Sequence, residues 1–395
     1  MVIRTTYLNK LKKMKDKQII KVVTGVRRCG KSTLLLQFQE YLRACGVADD
    51  QIITINFEDL ANESLLDFHA LYDFIISKLE PDKMAYVFLD EIQTVPDFQK
   101  AANSLFIKDN VDMYITGSNA YMLSGELATL LSGRYIEVKM LPLSFAEYAE
   151  LTGKDYRSAW VSFFQNGGMP YAALLEDNDV RREYLYGIYN TVLLKDVVAR
   201  NKIQDVQLLE SVIKFLFDNI GNIVSSKKIA DTLASSGRKA SVATVESYIQ
   251  ALLDACIIYK VGRYDIKGRQ YLKSLQKYYI ADVGLRRMLL GDRNSDIGHI
   301  LENIVFLELL RRDYKVSIGK VNDLEVDFIA EKAGEKVYYQ VAASVLDEST
   351  FAREIHPLKK ILDNYPKYII SMDDISANED GIKQINIINF LLGEE

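Results

Sequence analysis

Cysteine is scarce in this 395-residue chain, which contains only Cys29, Cys45 and Cys256. An odd number at wide spacing suits neither a disulfide framework nor a zinc site, and a reducing, cytoplasmic setting is expected. Long apolar runs are also missing: none approaches the roughly 18 residues that cross a bilayer as a helix, so no membrane partner is expected. Residues 1–17 alternate Lys with Leu and Met and show neither an apolar h-region nor a small-residue cleavage site, so no leader is expected. Nor is there a surplus of positive charge. The 49 Lys+Arg stand against 54 Asp+Glu, a net charge of −5, which excludes a uniformly basic surface but leaves local patches open. The remaining composition, 49% hydrophobic and 26% charged, excludes wholesale disorder. At ~100–200 residues per domain, the length fits two or three domains.

The strongest signal is a phosphate loop. Residues 18–24 (QIIKVVT) form a β-branched run suited to a buried parallel strand. The run leads into Gly25-Val26-Arg27-Arg28-Cys29-Gly30-Lys31-Ser32, which fits G-x-x-x-x-G-K-[ST], and Thr33 opens a helical stretch. Gly25 and Gly30 let successive N–H groups turn toward phosphate oxygens, and the helix start adds partial positive charge. Lys31 is expected on the β- and γ-phosphates of ATP, and Ser32 on Mg²⁺. Cys29 reads as incidental, since such loop positions tolerate many side chains. A second apolar run, residues 85–89 (AYVFL), ends at Asp90-Glu91, which suit metal binding and general-base activation of water, respectively. A third strand, residues 111–115, precedes Ser118 and Asn119, either of which could orient water against the γ-phosphate. Arg134, after Gly133, is a candidate to neutralise transition-state charge in cis or from a neighbouring subunit.

Residues 143–221 turn helical, with Val180, Tyr184, Ile188 and Val192 recurring every four positions, as expected of a helical lid. The charge then changes sign. Residues 222–277 hold ten Lys and Arg against four acids, a net +6. Within this segment a short helix (226–233), a Ser/Gly-rich turn, a longer helix (242–255) and a basic hairpin follow one another, the order of a winged helix. Lys239, Lys267 and Arg269 are its best candidates for DNA phosphate contact, and protein docking is the alternative use. In the last hundred residues, Glu302 and Glu308 lie on an apolar helix, Asp327 in one strand and Gln340 in the next. A helix acid and a strand acid could jointly bind a divalent metal.

The strings GVRRCGKSTLL, YVFLDEIQ, YITGSNAYML, LLSGRY and LPLSFAEY, with GGMPYA, LLKDV and YYIADVGL downstream, resemble a bacterial and archaeal family of AAA-type P-loop ATPases. The resemblance spans nearly the whole chain. It implies ATP binding with slow hydrolysis, a winged helix, and a C-terminal segment similar to the restriction-endonuclease-like fold. The expected architecture is therefore α/β: a P-loop parallel sheet at 1–140, a helical lid at 141–220, a winged helix at 221–290 and a nuclease-like domain at 291–395. Active nucleases of that type place an acid on the first helix, an Asp in a strand and Glu-x-Lys in the next strand. Glu302 and Asp327 match, but Gln340-Val341-Ala342 stands for Glu-x-Lys, so the site reads as vestigial unless another residue supplies the ammonium. The expected function is a Mg²⁺-ATP-hydrolysing switch on DNA, in which homo-oligomers are possible. The alternative is a regulatory or signalling ATPase whose C-terminal parts bind proteins.

Overall fold

The β-branched run IKVVT forms strand β1 (Ile20–Thr24), buried along its whole length. Such a strand needs cover on both faces, and a parallel sheet with crossover helices supplies it. Strands β2 (Ile52–Asn56), β3 (Ala85–Asp90), β4 (Val111–Gly117) and β5 (Tyr135–Lys139) join it in a five-stranded sheet ordered β2-β3-β4-β1-β5, with every pairing parallel. Helix α1 (Thr5–Met14) precedes β1, while α2 (Lys31–Ala44), α3 (Phe68–Lys78) and α4 (Phe98–Phe106) make the crossovers between β1, β2, β3 and β4. Because every strand points the same way, residues at the strand C-termini gather along one edge, where α/β sheets bind ligands. β4 sits between β1 and β3, so its tip lies between the phosphate loop and Asp90.

One residue of β1 defies its setting. Lys21 is fully buried and forms an ion pair with Asp112 on β4, while its ammonium also donates to the Lys17 carbonyl at 2.8 Å. The second Asp112 oxygen accepts the Tyr114 hydroxyl at 2.8 Å and the Asp16 amide at 2.9 Å. Burial pulls the Lys21 ammonium down and pushes the Asp112 carboxyl up, and each partner works against the other's shift. A charge in a sheet interior persists only when it is paired and its remaining bonds are filled, as here.

The computed structural model describes residues 2–117, 131, 133–292, 296–374 and 377–394. They divide into two units: Met1–Met140 with Asp254–Cys256, and Leu141–Leu253 with Ile257–Glu395. The second unit begins with helices α5 (Phe145–Thr152), α6 (Tyr156–Asn166), α7 (Pro170–Ala173), α8 (Asn178–Thr191) and α9 (Val206–Asp218). Then come β6 (Ile223–Val224), α10 (Ser226–Ser235), α11 (Val242–Asp254) and the hairpin β7 (Ile258–Asp265) and β8 (Gln270–Ile280). Helices α12 (Val283–Leu290) and α13 (Ile297–Arg311) lead to β9 (Lys315–Val321), β10 (Leu324–Lys332) and β11 (Glu335–Val341). The unit closes with α14 (Glu348–Lys359), β12 (Lys367–Ser371), β13 (Asn378–Glu379), β14 (Ile382–Asn386) and α15 (Ile387–Leu392).

All nine strands of this unit belong to one sheet, ordered β13-β14-β12-β11-β10-β9-β7-β8-β6. β7 of the hairpin runs parallel to β9, so one sheet holds strands from both sides of residue 290, where the resemblance leads one to expect a domain boundary. Two of the glycine-bearing strings are joined in this unit. Asp282 caps α12, accepting the Gly284 amide at 2.9 Å and the Leu285 amide at 3.2 Å, and also accepts the Gly168 amide at 2.6 Å. Gly167 has φ +74°, and a Cβ there would lie 2.2 Å from an Asp282 carboxylate oxygen. Burial raises the Asp282 carboxyl to about 6 against the pull of these amides.

Candidate functional site

The phosphate loop begins where β1 leaves the sheet. Gly25 has φ +151°, and a Cβ there would meet the Met140 carbonyl oxygen at 2.2 Å, so only glycine fits that turn. Gly30, with φ +105°, caps α2. Cys29 is fully buried, its Sγ 3.6 Å from the Met140 carbonyl, and burial pushes its thiol up and away from reactivity. Arg27 pairs outward with Glu58 at 2.6 Å. Arg4, which sequence reasoning missed, is nearly buried and donates to the Cys29 carbonyl at 2.9 Å, bracing the loop from the N-terminal segment.

Lys31 is buried, and its ammonium donates to the carbonyls of Gly25 at 3.0 Å and Val26 at 3.4 Å. It also lies 3.8 Å from Glu91 Oε1. Asp90 ends β3, and its carboxylate takes hydrogen bonds from the hydroxyls of Ser32 and Thr116. Burial raises the Asp90 carboxyl, and these two hydroxyls oppose the shift. Glu91 adopts φ 56°, a left-handed conformation rare outside glycine, which turns its side chain away from the strand line. Its amide donates to Thr116 Oγ1 at 2.9 Å, and its Oε2 accepts from the Gln93 amide group. Thr116 therefore bridges both acids from the tip of β4. Expectation pointed two and three residues further along the sequence, to Ser118 and Asn119, which lie outside the described residues.

The fold thus brings Lys31, Ser32, Asp90, Glu91 and Thr116 together. Its oxygen donors are those a hard cation such as Mg²⁺ takes. Lys31 and the loop amides suit a nucleotide's phosphates. Arg134 does not join them in its own chain. It precedes β5 beside Ile20, five residues from Gly25 and thus about 16 Å away at ~3.3 Å per residue along a strand. Its guanidinium donates to Asn103 at 2.8 Å and lies over the Phe106 ring.

In the second unit Lys239 lies between α10 and α11, Lys267 and Arg269 lie in the β7–β8 turn, and all three are exposed. Lys277, counted in the same basic segment, belongs elsewhere. It is only 3% exposed, and its ammonium lies 2.8 Å from Glu302, 2.7 Å from Glu325 and 3.8 Å from Asp327. The Tyr279 hydroxyl donates to the same Glu302 oxygen at 2.6 Å. Asp327 Oδ2 accepts the Val341 amide at 2.9 Å, and the Gln340 side chain donates to Glu354 at 2.9 Å. The other helix acid, Glu308, faces away and pairs with Arg311 and Arg312, each at 2.9 Å.

Burial lowers the Lys277 ammonium, but Glu302, Asp327 and Glu325 more than reverse this and hold it charged. Burial and the neighbouring Glu302 drive the Asp327 carboxyl well above its ordinary range. Glu302 falls below its range, since Lys277, His299 and Tyr279 outweigh its burial. An ammonium that Ala342 could not supply is therefore present, delivered from β8. With that ammonium at their centre, these carboxylates do not fit a divalent metal, which would have to stand where the Lys277 charge already stands. Among the described residues, no group of three or more His, Cys, Asp or Glu is arranged to hold one.

The loop, the paired acids and the strand order of the first unit define an AAA-type P-loop ATPase domain. A family model for an AAA domain matches residues 17–149, and one for a domain of unknown function matches residues 157–296. The chain belongs to the same family as an uncharacterised Haemophilus influenzae protein, with 41% identity over 399 residues and 99% of both chains covered. An uncharacterised Methanocaldococcus jannaschii protein is 29% identical over 387 residues, covering 93% of this chain and 84% of its own. Among solved structures, the Walker-type ATPase PABY2304 of Pyrococcus abyssi shares the fold at a TM-score of 0.52 and 16% identity, over 73% of this chain and 96% of that one. No helix among the described residues is long and apolar enough to cross a membrane.

Proposed function

We propose that the protein is a Mg²⁺-dependent ATPase that works as a nucleotide-controlled switch on DNA. The observation that carries the reading is Thr116 joined to both Asp90 and Glu91, beside Lys31 and Ser32. The loop amides of residues 25–33 and the Lys31 ammonium hold the phosphates. Ser32 and Asp90 supply oxygens to Mg²⁺, which when bound neutralises phosphate charge. Glu91 takes the proton of the attacking water once it exchanges the Gln93 bond. Arg134, directed away from its own loop, serves a neighbouring copy in an oligomer.

The order α9, β6, α10, α11, β7, β8, with β6 pairing β8 beside the hairpin, supports reading this segment as a winged helix. Its exposed Lys239, Lys267 and Arg269 face DNA phosphates, and the nuclease-like sheet beyond it does not cleave. The test is paired. Lys31→Ala abolishes ATP binding, while Glu91→Gln binds ATP and loses turnover. Normal turnover in the Glu91 variant refutes the assignment. Affinity for duplex DNA falls with salt at a slope of about −0.9 per phosphate contact, and the Lys267→Ala/Arg269→Ala variant flattens it. Absence of binding at low salt favours a protein partner instead.

A further inference from the structure

Glu302 and Asp327, the two acids that the resemblance assigns to a divalent metal, have a different occupant in this fold, and Glu325 joins them there. Glu302 comes from α13 and Glu325 and Asp327 from β10, and all three close on one point. At that point stands the Lys277 ammonium, hydrogen-bonded to Glu302 at 2.8 Å and paired with Glu325 at 2.7 Å and Asp327 at 3.8 Å. β8 carries it in from the hairpin, 25 residues before Glu302.

We propose that Lys277 is the resident cation of this cluster, a covalently attached replacement for the divalent metal of a nuclease-type site. Three observations support it. The ammonium is 3% exposed, so it is sealed into the cluster and not sampling solvent. Its neighbours are turned to it: the Glu302 oxygen that accepts Lys277 also accepts the Tyr279 hydroxyl, and the Val341 amide holds Asp327 Oδ2 so that Oδ1 faces the ammonium. The residue that would complete a metal-binding pair of strands, Gln340, is neutral, and its amide is spent on Glu354 at 2.9 Å. A lysine that positions a scissile phosphate must leave the carboxylates open to a metal; here the charge they present is already answered. The inference is independent of the ATPase reading, since it concerns side chains of the second unit only.

The test uses the nucleotide-free full chain. With Mn²⁺ as probe, followed by electron paramagnetic resonance, the wild type and Asp327→Asn are expected to bind the same amount of ion. Its melting temperature is expected to be indifferent to millimolar Mn²⁺ or EDTA. Lys277→Met removes the internal cation and leaves carboxylates facing one another, so its melting temperature falls by about 5–15 °C. Millimolar Mn²⁺ then recovers at least half of that loss, and adding Asp327→Asn to Lys277→Met abolishes the recovery. Three outcomes overturn the proposal: Mn²⁺ bound by the wild type and lost in Asp327→Asn, a Lys277→Met protein as stable as wild type without metal, or a destabilised Lys277→Met protein indifferent to Mn²⁺. If Lys277→Met does not fold, Lys277→Met/Glu302→Gln, which restores the charge balance, is expected to fold. The wild-type comparison then decides.

Discussion

Thr116→Val is the most discriminating change in the ATPase site. Valine keeps the shape of threonine and removes one hydroxyl, which here makes two bonds at once. It donates to Asp90 and accepts the Glu91 amide at 2.9 Å, from a side chain with no exposed surface. Neither orphan can turn to bulk water, since Asp90 is 6% and Glu91 7% exposed. A buried group left without its partner costs about 1–3 kcal/mol, so two of them place the destabilisation of the variant at about 2–6 kcal/mol. The functional loss is separable. Thr116 opposes the burial-driven rise of the Asp90 carboxyl, so its removal makes Asp90 a poorer Mg²⁺ ligand and loosens the turn that aims Glu91. Turnover is expected to fall about 10–100-fold, less than the roughly 10²–10⁴-fold that a positioned general base itself contributes, because Glu91 is still present. Binding of ATP without Mg²⁺, measured by calorimetry, stays unchanged because Lys31 is untouched. Thr116→Ser retains the hydroxyl and is expected to recover most of the turnover. A valine variant with normal turnover, or a serine variant as impaired as valine, refutes the bridging role.

Thiol titration of the folded protein is expected to find one fast cysteine, Cys45, because Cys29 and Cys256 are buried; fast labelling of Cys29 would contradict the loop packing described above. Lys21→Met alone strands the Asp112 charge in the sheet and is expected to cost about 3–5 kcal/mol, whereas Lys21→Met/Asp112→Leu recovers most of it in denaturant melts. Asp282 supplies a pH dependence. Its folded carboxyl is raised to about 6 against ~3.9 unfolded, so its contribution to stability is complete below pH ~4 and lost as the pH rises through about 6. Two units at 1.36 kcal/mol each make that loss about 3 kcal/mol, and the difference in stability between wild type and Asp282→Asn is expected to drift by this amount between pH 4 and 7.

The ATPase site was legible wherever its chemistry lies contiguous in the chain. The glycine loop and Asp90-Glu91 are local strings flanked by β-branched runs, and the parallel sheet follows from alternating strand and helix. Thr116 escaped because it lies within β4 itself, which runs to Gly117, while attention went to the polar residues after the apolar run. Arg134 was placed near the nucleotide by its sequence neighbours. In a parallel sheet, a residue just before a strand lies at the edge opposite the ligand, and only the Ile20–Tyr135 register shows which edge that is. Lys277 was the largest omission. A charge sum counts a lysine without regard to which face of a strand it leaves from, so one of the most buried charges in the chain entered the tally as surface. The acids it meets lie 25, 48 and 50 residues further along, separations at which periodicity carries no information.

The tie between Asp282 and the Gly167–Gly168 turn has a consequence for how the chain comes off the ribosome. The turn's amide is satisfied by a carboxylate that is synthesised 114 residues later. Pro142, at the start of the same helical segment, likewise waits for Arg311, which donates to its carbonyl at 2.8 Å. Helices α5 to α7 can form as they emerge but cannot close around that turn until β8 and α12 have followed. The second unit therefore matures late and nearly all at once, and a chain halted near residue 220 leaves its early helices with an open seam. The β1–β5 sheet has all its strands by residue 139 and has no such wait.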